Sequence, residues 1–265
     1  MIDKSEEFEW LVRVGYFSRA VLYAMVGLIA LTSAGAIREG TEGIFAAIEA
    51  FPAGVALLWI MVLGLCAYAL FRLASFFFDI ENNGSDAKGW AKRIGHAGSA
   101  LGHFALAWTA YEFASGPGGS GGGAQDAAAG VLSFSFGPVV LGLLGLAFFV
   151  TALFQLKKGI GGEFMHRISA GAPAATRWVG GLGYAARAVV YAVIGWSLVK
   201  VGFLSAGAGE IKTLADAVAS LAGQGPLFTI TALGMLLFGL FSFVLARYRI
   251  IPEIDLERQI PRFRA

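Results

Sequence analysis

Long stretches without a charged side chain are the feature that most limits what this chain can fold into. Five such stretches, and one that contains a single charged residue, follow one another along the sequence: 20–37, 51–71, 94–111, 127–156, 178–199 and 217–246. Only the fifth contains a charged residue, Arg187. A helix of roughly 20 apolar residues crosses the hydrocarbon core of a bilayer. With 57% hydrophobic and 14% charged residues, the chain also has more apolar surface than a soluble domain can bury. We therefore predict an all-α polytopic membrane protein with six transmembrane helices.

The basic residues are distributed very unevenly between the ends of these stretches. Of the 20 Lys and Arg residues, 17 lie in the segments 1–19, 72–93, 157–187 and 247–265. In a chain with six spans, all four segments fall on the same side of the membrane. Lys and Arg concentrate in cytoplasmic loops, so the pattern predicts that both termini are cytoplasmic.

An internal repeat organises the chain. Segments that begin at Trp10, Trp90 and Trp178 align without gaps, at offsets of 80 and 88 residues. Later in each repeat the register is looser, but Arg72, Gln155 and Ser242 fall at equivalent positions. We predict one membrane domain of three tandem helical hairpins with pseudo-threefold symmetry about the membrane normal. Its repeats are residues 1–80, 81–162 and 163–250, and a cytoplasmic tail follows at 251–265.

The repeats share a motif of Gly, Tyr, two residues, Arg and Ala, followed by a Tyr and a Gly. It reads Gly15-Tyr16-x-x-Arg19-Ala20 with Tyr23 and Gly27, Gly183-Tyr184-x-x-Arg187-Ala188 with Tyr191 and Gly195, and the chain closes on Ala246-Arg247-Tyr248-Arg249. This pattern resembles a bacterial family of uncharacterised membrane proteins, catalogued as domain of unknown function 1206. The resemblance implies the three-repeat architecture and a bacterial inner (plasma) membrane, and it brings no established activity. The middle repeat departs from the motif, with His96, Ser99 and His103 in place of Tyr, Arg and Tyr.

The arginines of the motif are the candidate ligand-binding groups. Arg19 is spaced four residues from Tyr23, and Arg187 from Tyr191, so each pair shares a helix face. An ionisable residue inside a membrane is a functional-site hypothesis, and the guanidinium fork suits phosphate or carboxylate. The predicted ligand-binding residues are Arg19, Arg187, Arg72, Tyr23, Tyr191, Ser99 and His103. The alternative is structural, because arginines at this depth also extend to the headgroups, bond to carbonyls or stack on tyrosine.

Two other sets of residues receive structural interpretations. His96 and His103 are seven residues apart on one helix, too far apart to chelate one metal ion together. We interpret them as hydrogen-bonded replacements for the tyrosines of the other repeats, and we predict no metal and no cofactor. Trp10, Trp90 and Trp178 stand where each repeat enters the membrane, and we interpret them as interfacial anchors.

Two functional hypotheses remain open. The sequence contains no phosphate-binding loop, zinc motif or nucleophile elbow, so we do not expect an enzyme. The first hypothesis is a protein that binds or conducts a small solute or an anionic lipid along the repeat axis, which predicts a polar cavity there. The second is a structural or accessory subunit of a larger membrane complex, which predicts an axis filled with side chains. The expected partners are the lipid bilayer, an anionic lipid and another membrane protein, and no nucleic acid.

Overall fold

The computed structural model describes residues 4–33, 39–81, 83–116 and 123–251. The predicted tail therefore lies outside the described residues from position 252 onward. Within them, two short 3₁₀ helices and one isolated β-bridge, between Ile168 and Arg249, accompany the α-helices. The α-helices are α1 (Lys4–Thr32), α2 (Gly40–Glu49), α3 (Gly54–Phe77), α4 (Ala87–Ser115), α5 (Gly123–Leu132), α6 (Gly137–Gly161), α7 (Thr176–Phe203), α8 (Leu214–Ala219) and α9 (Pro226–Tyr248).

The prediction of an all-α membrane protein is confirmed. Five helices in the described part of the chain are long and apolar enough to cross a bilayer: Val12–Thr32 within α1, and α3, α6, α7 and α9. The helix α4 contains the predicted third span, 94–111, but is more polar than these five. It has 29 residues, which corresponds to about 43 Å of helix.

The long helices pack side by side in a fixed order. Neighbours in contact are α4 with α3, α3 with α1, α1 with α9, α9 with α7, and α7 with α6. This order makes a ring that is open between its two ends, because α4 and α6 make no comparable contact among the described residues. The opening separates the two long helices of the middle repeat.

The first and third hairpins close through equivalent residues. A Cβ atom added to Gly15 would lie 2.9 Å from the Cα of Tyr68, and one added to Gly183 would lie 2.7 Å from the Cα of Phe238. Tyr68 and Phe238 occupy the same repeat position, four residues before Arg72 and Ser242. Both helix pairs thus approach closely because a glycine faces the partner backbone.

Contacts between repeats are equivalent as well. A Cβ atom on Gly27 of α1 would lie 2.4 Å from the backbone nitrogen of Leu236 in α9. Its counterpart Gly195 of α7 faces Phe149 of α6, at 3.3 Å from the backbone nitrogen. Leu236 and Phe149 are themselves counterparts in the repeat register, so the third repeat packs on the first as the second packs on the third.

The long helices bring the predicted cytoplasmic segments to one end of the bundle, which we call the basic end. Arg13 of α1 donates hydrogen bonds of 2.8 Å to the carbonyl oxygens of Ala246 and Arg247 at the end of α9. Arg93 of α4 donates 2.8 Å to the carbonyl oxygen of Phe76 at the end of α3. Such contacts satisfy carbonyl groups that a helix end leaves without partners.

Short helices close the opposite end. The helices α2 and α8 contact each other, and α5 contacts both α4 and α6. Ile44 and Ile48 of α2 are fully buried, so its apolar face packs on the bundle. The segment α8 begins with a capping box in which Thr213 and Asp216 exchange side-chain and backbone hydrogen bonds.

Candidate anion-binding site at the basic end

One carboxylate, Glu81, forms ion pairs with several of the connecting segments at the basic end. Its Oε1 lies 3.3 Å from Nη1 of Arg72 and 2.9 Å from Nη2 of Arg249. Its Oε2 accepts a hydrogen bond from Arg167 and lies 3.6 Å from Nε2 of His96. Glu81 therefore ties the end of α3 to α4, to the α6–α7 connection and to the segment after α9.

The surroundings of Glu81 decide its ionisation. Burial by itself would raise the pKa of this carboxyl group. The positive charges of Arg72 and Arg249, with smaller effects of His96 and Arg167, outweigh burial and hold the pKa well below its ordinary range. Glu81 is thus ionised at neutral pH. A cavity of 130 Å³ lies beside it, lined by Phe71, Ile80, Arg167 and Arg249 among others.

Arg19 is buried, and each of its three guanidinium nitrogens donates a hydrogen bond to a neighbouring side chain. Its Nη1 donates 2.7 Å to the hydroxyl oxygen of Tyr68, and its Nε and Nη2 donate 3.2 and 3.1 Å to Oγ of Ser242. The Tyr68 hydroxyl also accepts 2.9 Å from Nε and 2.5 Å from Nη2 of Arg72. Tyr68 therefore joins two of the predicted arginines, one on its own helix and one on α1.

Arg187 has fewer acceptors than Arg19. Its side chain is buried, and it donates a hydrogen bond to the hydroxyl of Tyr191. Its guanidinium carbon lies 5.2 Å from the ring centroid of Tyr23 and 4.5 Å from that of Phe238. The Nε atom of Arg187 is buried and has no hydrogen-bond partner among the residues that the structure describes. This cation is stabilised mainly by aromatic rings rather than by oxygen acceptors.

The interior between the two motif arginines is filled. The ring of Phe238 is completely buried, and its centroid lies 5.1 Å from the guanidinium carbon of Arg19 as well as close to Arg187. Tyr23 packs edge-on against the same ring, with centroids 4.8 Å apart. At this level side chains occupy the interior, as the accessory-subunit hypothesis expects.

The remaining predicted residues of the middle repeat lie on α4. Nδ1 of His103 is 2.7 Å from the carbonyl oxygen of Ser99, and its ring centroid is 4.5 Å from that of Tyr68. Nε2 of His103 is buried and has no hydrogen-bond partner within the described ranges. His96 lies 3.0 Å from Nη1 of Arg72 through Nδ1. Both histidines thus stand beside groups that the first repeat supplies.

The three predicted anchor tryptophans, Trp10, Trp90 and Trp178, are exposed at the basic end. The Trp90 ring also receives the guanidinium of Arg93, whose Cζ is 4.4 Å from the ring centroid. Their positions agree with an interfacial belt, and the anchoring role itself remains a prediction.

Lys158 is a cation that the sequence interpretation did not single out. It lies three residues after Gln155 near the end of α6, and its side chain is exposed. It lies within electrostatic range of Arg72, Arg187 and Glu81, yet its ammonium group forms no hydrogen bond or ion pair with any described residue. The repeat register could have marked Lys158, because the equivalent residues of the other repeats, Ser75 and Leu245, carry no charge.

Glu81, Arg249, Tyr68 and Ser242 were also absent from the predicted set. Nothing in the repeat marks Glu81, because it lies in a connection that differs between copies. Tyr68 and Ser242 belong to the loosely repeated second half of each unit. Their importance comes from contacts with Arg19, which lies 49 and 223 residues away in sequence.

This fold, with its buried arginines and basic end, is that of a multi-pass helical membrane protein. The sequence profile of the family described as Domain of Unknown Function (DUF1206) matches residues 14–76, 94–162 and 182–249. The chain belongs to this family. It is similar to Uncharacterized protein YxxB of Bacillus subtilis (strain 168), with 31% identity over 259 residues that cover 93% of this chain and 94% of that protein. No solved structure matches the chain.

Proposed function

We propose that this protein binds an anionic ligand, bearing a phosphate or a carboxylate, at its basic end. Arg72, Lys158 and Arg187 supply the charge, and the basic end faces the cytoplasm from the inner membrane. The observation that carries the proposal is Arg187, a buried guanidinium whose Nε has no acceptor and whose neighbour Lys158 forms no ion pair among the described residues.

The charge balance inside the bundle supports an anion. The five strongly apolar spans contain no Asp or Glu. Glu81, at their basic end, is already held by Arg72, Arg167 and Arg249. Positive charge in a low-dielectric interior is costly unless an anion or several oxygen acceptors compensate it. A bound anion near Arg187 provides that compensation.

The proposal includes six spans, with α4 as the sixth. The helix α4 begins beside the end of α3, where Arg93 reaches the carbonyl oxygen of Phe76. It finishes near the opposite end, where Phe113 stacks on Phe45 of α2 with centroids 5.8 Å apart. Because α4 extends along the whole length of α3, it crosses the bilayer together with α3. With α4 counted, the three hairpins share one orientation and an approximate threefold arrangement that is open in the middle repeat.

Binding accounts for the interior better than conduction does. Phe238 and Tyr23 fill the space between Arg19 and Arg187, so the proposed ligand binds at the basic end rather than along the axis. We propose a binding protein and not an enzyme, because the sequence contains no catalytic motif. We propose no cofactor for the same reason.

A second candidate function is an accessory role in a membrane complex. The observation in its favour is that α6 packs on α7 but leaves most of its other faces exposed, including Leu143, Val150 and Leu153. Another membrane protein could cover these faces. The accessory role predicts a stable complex with another protein and no anion dependence.

The test uses sn-glycerol 3-phosphate, a phosphate without acyl chains, titrated into the detergent-purified protein in a calorimeter. Lys158→Gln removes one charge from an exposed position, so folding should be unaffected. We expect it to weaken binding about tenfold, the effect of losing one charged hydrogen bond. Lys212→Gln, which removes a cation at the opposite end, is the matched control and should bind like the wild type. Equal affinities for Lys158→Gln and the wild type, or no binding by the wild type, would overturn the proposal.

A further inference from the structure

The middle hairpin differs from its two sister hairpins in one respect: its helices are not packed on each other. Gly15 and Gly183 press against Tyr68 and Phe238, but an added Cβ atom on their counterpart Gly95 would have no neighbour within 4 Å in the described part of the chain. Gly98 and Gly102, on the same side of α4, also face open space. The face of α4 that should close the hairpin is therefore free.

The facing side of α6 is equally free. Phe154 is 58% exposed, whereas its counterparts Phe71 and Phe241 are 2% and 0% exposed. Ala147 is exposed as well, and its counterparts Gly64 and Gly234 are buried against the first helix of their own hairpins. We call the space between α4 and α6 the middle cleft. Its walls are Gly95, Gly98 and Gly102 on one side and Ala147, Thr151 and Phe154 on the other.

Both walls of the middle cleft end in a lysine at the basic end. On α6 this is Lys158, whose counterparts Ser75 and Leu245 are buried. On α4 it is Lys92, which is exposed, whereas its counterparts Val12 and Gly180 are buried. Lys158 is also within electrostatic range of His96 of α4. The open hairpin thus combines an apolar length with a cationic mouth.

These observations indicate what occupies the cleft. A phospholipid places its phosphate at the level where a span leaves the hydrocarbon and its acyl chains along the span. Small residues on one wall leave room for a chain, and lysines near the membrane surface attract acidic headgroups. A packed protein helix would instead have to bury two lysines, at a cost that only an acidic partner could offset.

We propose that the middle cleft binds an acidic phospholipid, with one acyl chain along the glycines of α4 and the headgroup phosphate between Lys92 and Lys158. This inference rests on the proposed anion site, with which it shares Lys158, and names its ligand class. The lipid enters sideways from the bilayer, through the side of the ring that the middle repeat leaves open.

The test is native mass spectrometry of protein released from nanodiscs that contain phosphatidylcholine with phosphatidylglycerol. Ala147→Trp fills the cleft, and Leu146→Trp places the same ring about 100° around α6, outside the cleft. We expect phosphatidylglycerol to remain bound to the wild type and Leu146→Trp and to be lost from Ala147→Trp. The double substitution Lys92→Gln with Lys158→Gln should lower retention about 25-fold, about fivefold for each charge near the surface.

The outcomes separate the cleft from the anion site. If Ala147→Trp retains phosphatidylglycerol while the lysine variant loses it, the anion site stands and the cleft assignment is overturned. If Ala147→Trp loses the lipid but still binds sn-glycerol 3-phosphate, the cleft holds the chain as proposed. Equal retention of phosphatidylcholine and phosphatidylglycerol overturns the acidic specificity. Loss of an associated protein from Ala147→Trp, with no lipid bound to the wild type, assigns the cleft to a partner helix and overturns the lipid.

Discussion

Replacing Glu81 by Gln should destabilise the protein strongly. The substitution keeps the shape of the side chain and removes its charge. The Glu81 side chain is 9% exposed, and those of Arg72 and Arg249 are 14% and 11% exposed. Removing one partner of a buried ion pair costs about 3–5 kcal/mol, because the other charge stays buried without compensation.

The lower end of that range applies here. Arg72 keeps its hydrogen bonds to Tyr68, and Arg167, at 43% exposure, loses little because water screens it. We therefore expect a loss of about 3 kcal/mol. For a chain of this size, by analogy with soluble domains, this lowers Tm by about 6–12 °C.

The assay is thermal unfolding in detergent, followed by tryptophan fluorescence. Glu210→Gln is the matched control, because it removes an exposed carboxylate that pairs with Lys200 at the opposite end. We expect no measurable change in Tm for this control. A Tm for Glu81→Gln within a degree or so of the wild type would refute the assignment of Glu81 as the link between the connections.

The pH dependence gives an independent check. Because the native pKa of Glu81 is depressed, its stabilisation is fully present above the pKa of the unfolded carboxyl, about 4.3, and is lost as pH falls below it. The difference in Tm between the wild type and Glu81→Gln should be constant from about pH 8 to pH 5.5 and shrink below about pH 4.3. A difference that shrinks on raising the pH would contradict this ionisation.

Three further predictions concern packing, topology and the histidines. Gly15→Leu should destabilise the protein by about 1–3 kcal/mol or more, because the new side chain meets the Tyr68 backbone, whereas Gly95→Leu faces open space and should leave Tm unchanged. Equal effects in thermal unfolding would mean that the middle hairpin is closed like the others. A fluorescent protein fused after α9 should fold and fluoresce, and alkaline phosphatase fused there should be inactive, since both termini are expected in the cytoplasm. The reverse pattern would invert the topology. The purified protein should show no Soret absorption, because His103 hydrogen-bonds to the carbonyl oxygen of Ser99 and packs against the ring of Tyr68. A Soret band would assign these histidines to haem.

Much of the fold follows from local features of the sequence. The charge-free stretches predict where the long helices lie, because a bilayer accepts a helix only when its side chains are apolar. The repeated Gly15 and Gly183 mark where helices approach closely, and both make that contact. Trp10, Trp90 and Trp178 are exposed at one end because each stands at the start of an equivalent unit.

The site depended on information that local patterns do not contain. Arg19 and Arg187 occupy the same repeat position, but their contacts differ. Arg19 donates hydrogen bonds to Tyr68 and Ser242, whereas Arg187 packs against aromatic rings and donates to one hydroxyl group. The difference arises from the helix that packs beside each arginine. Ser242 lies on α9, next to the helix of Arg19, and its equivalent on α6, next to the helix of Arg187, is Gln155. An identical motif therefore leads to two different environments.

The sequence by itself determined the class of protein, the repeat and the clustering of positive charge at one end, since these depend on composition and order along the chain. Only the tertiary structure decided that Glu81 gathers Arg72, Arg167 and Arg249, and that the middle hairpin stays open. The physical reason is that both features depend on contacts between distant helices. Gly95 has the same sequence signal as Gly15 and Gly183, and only the position of α6 leaves it without a partner backbone.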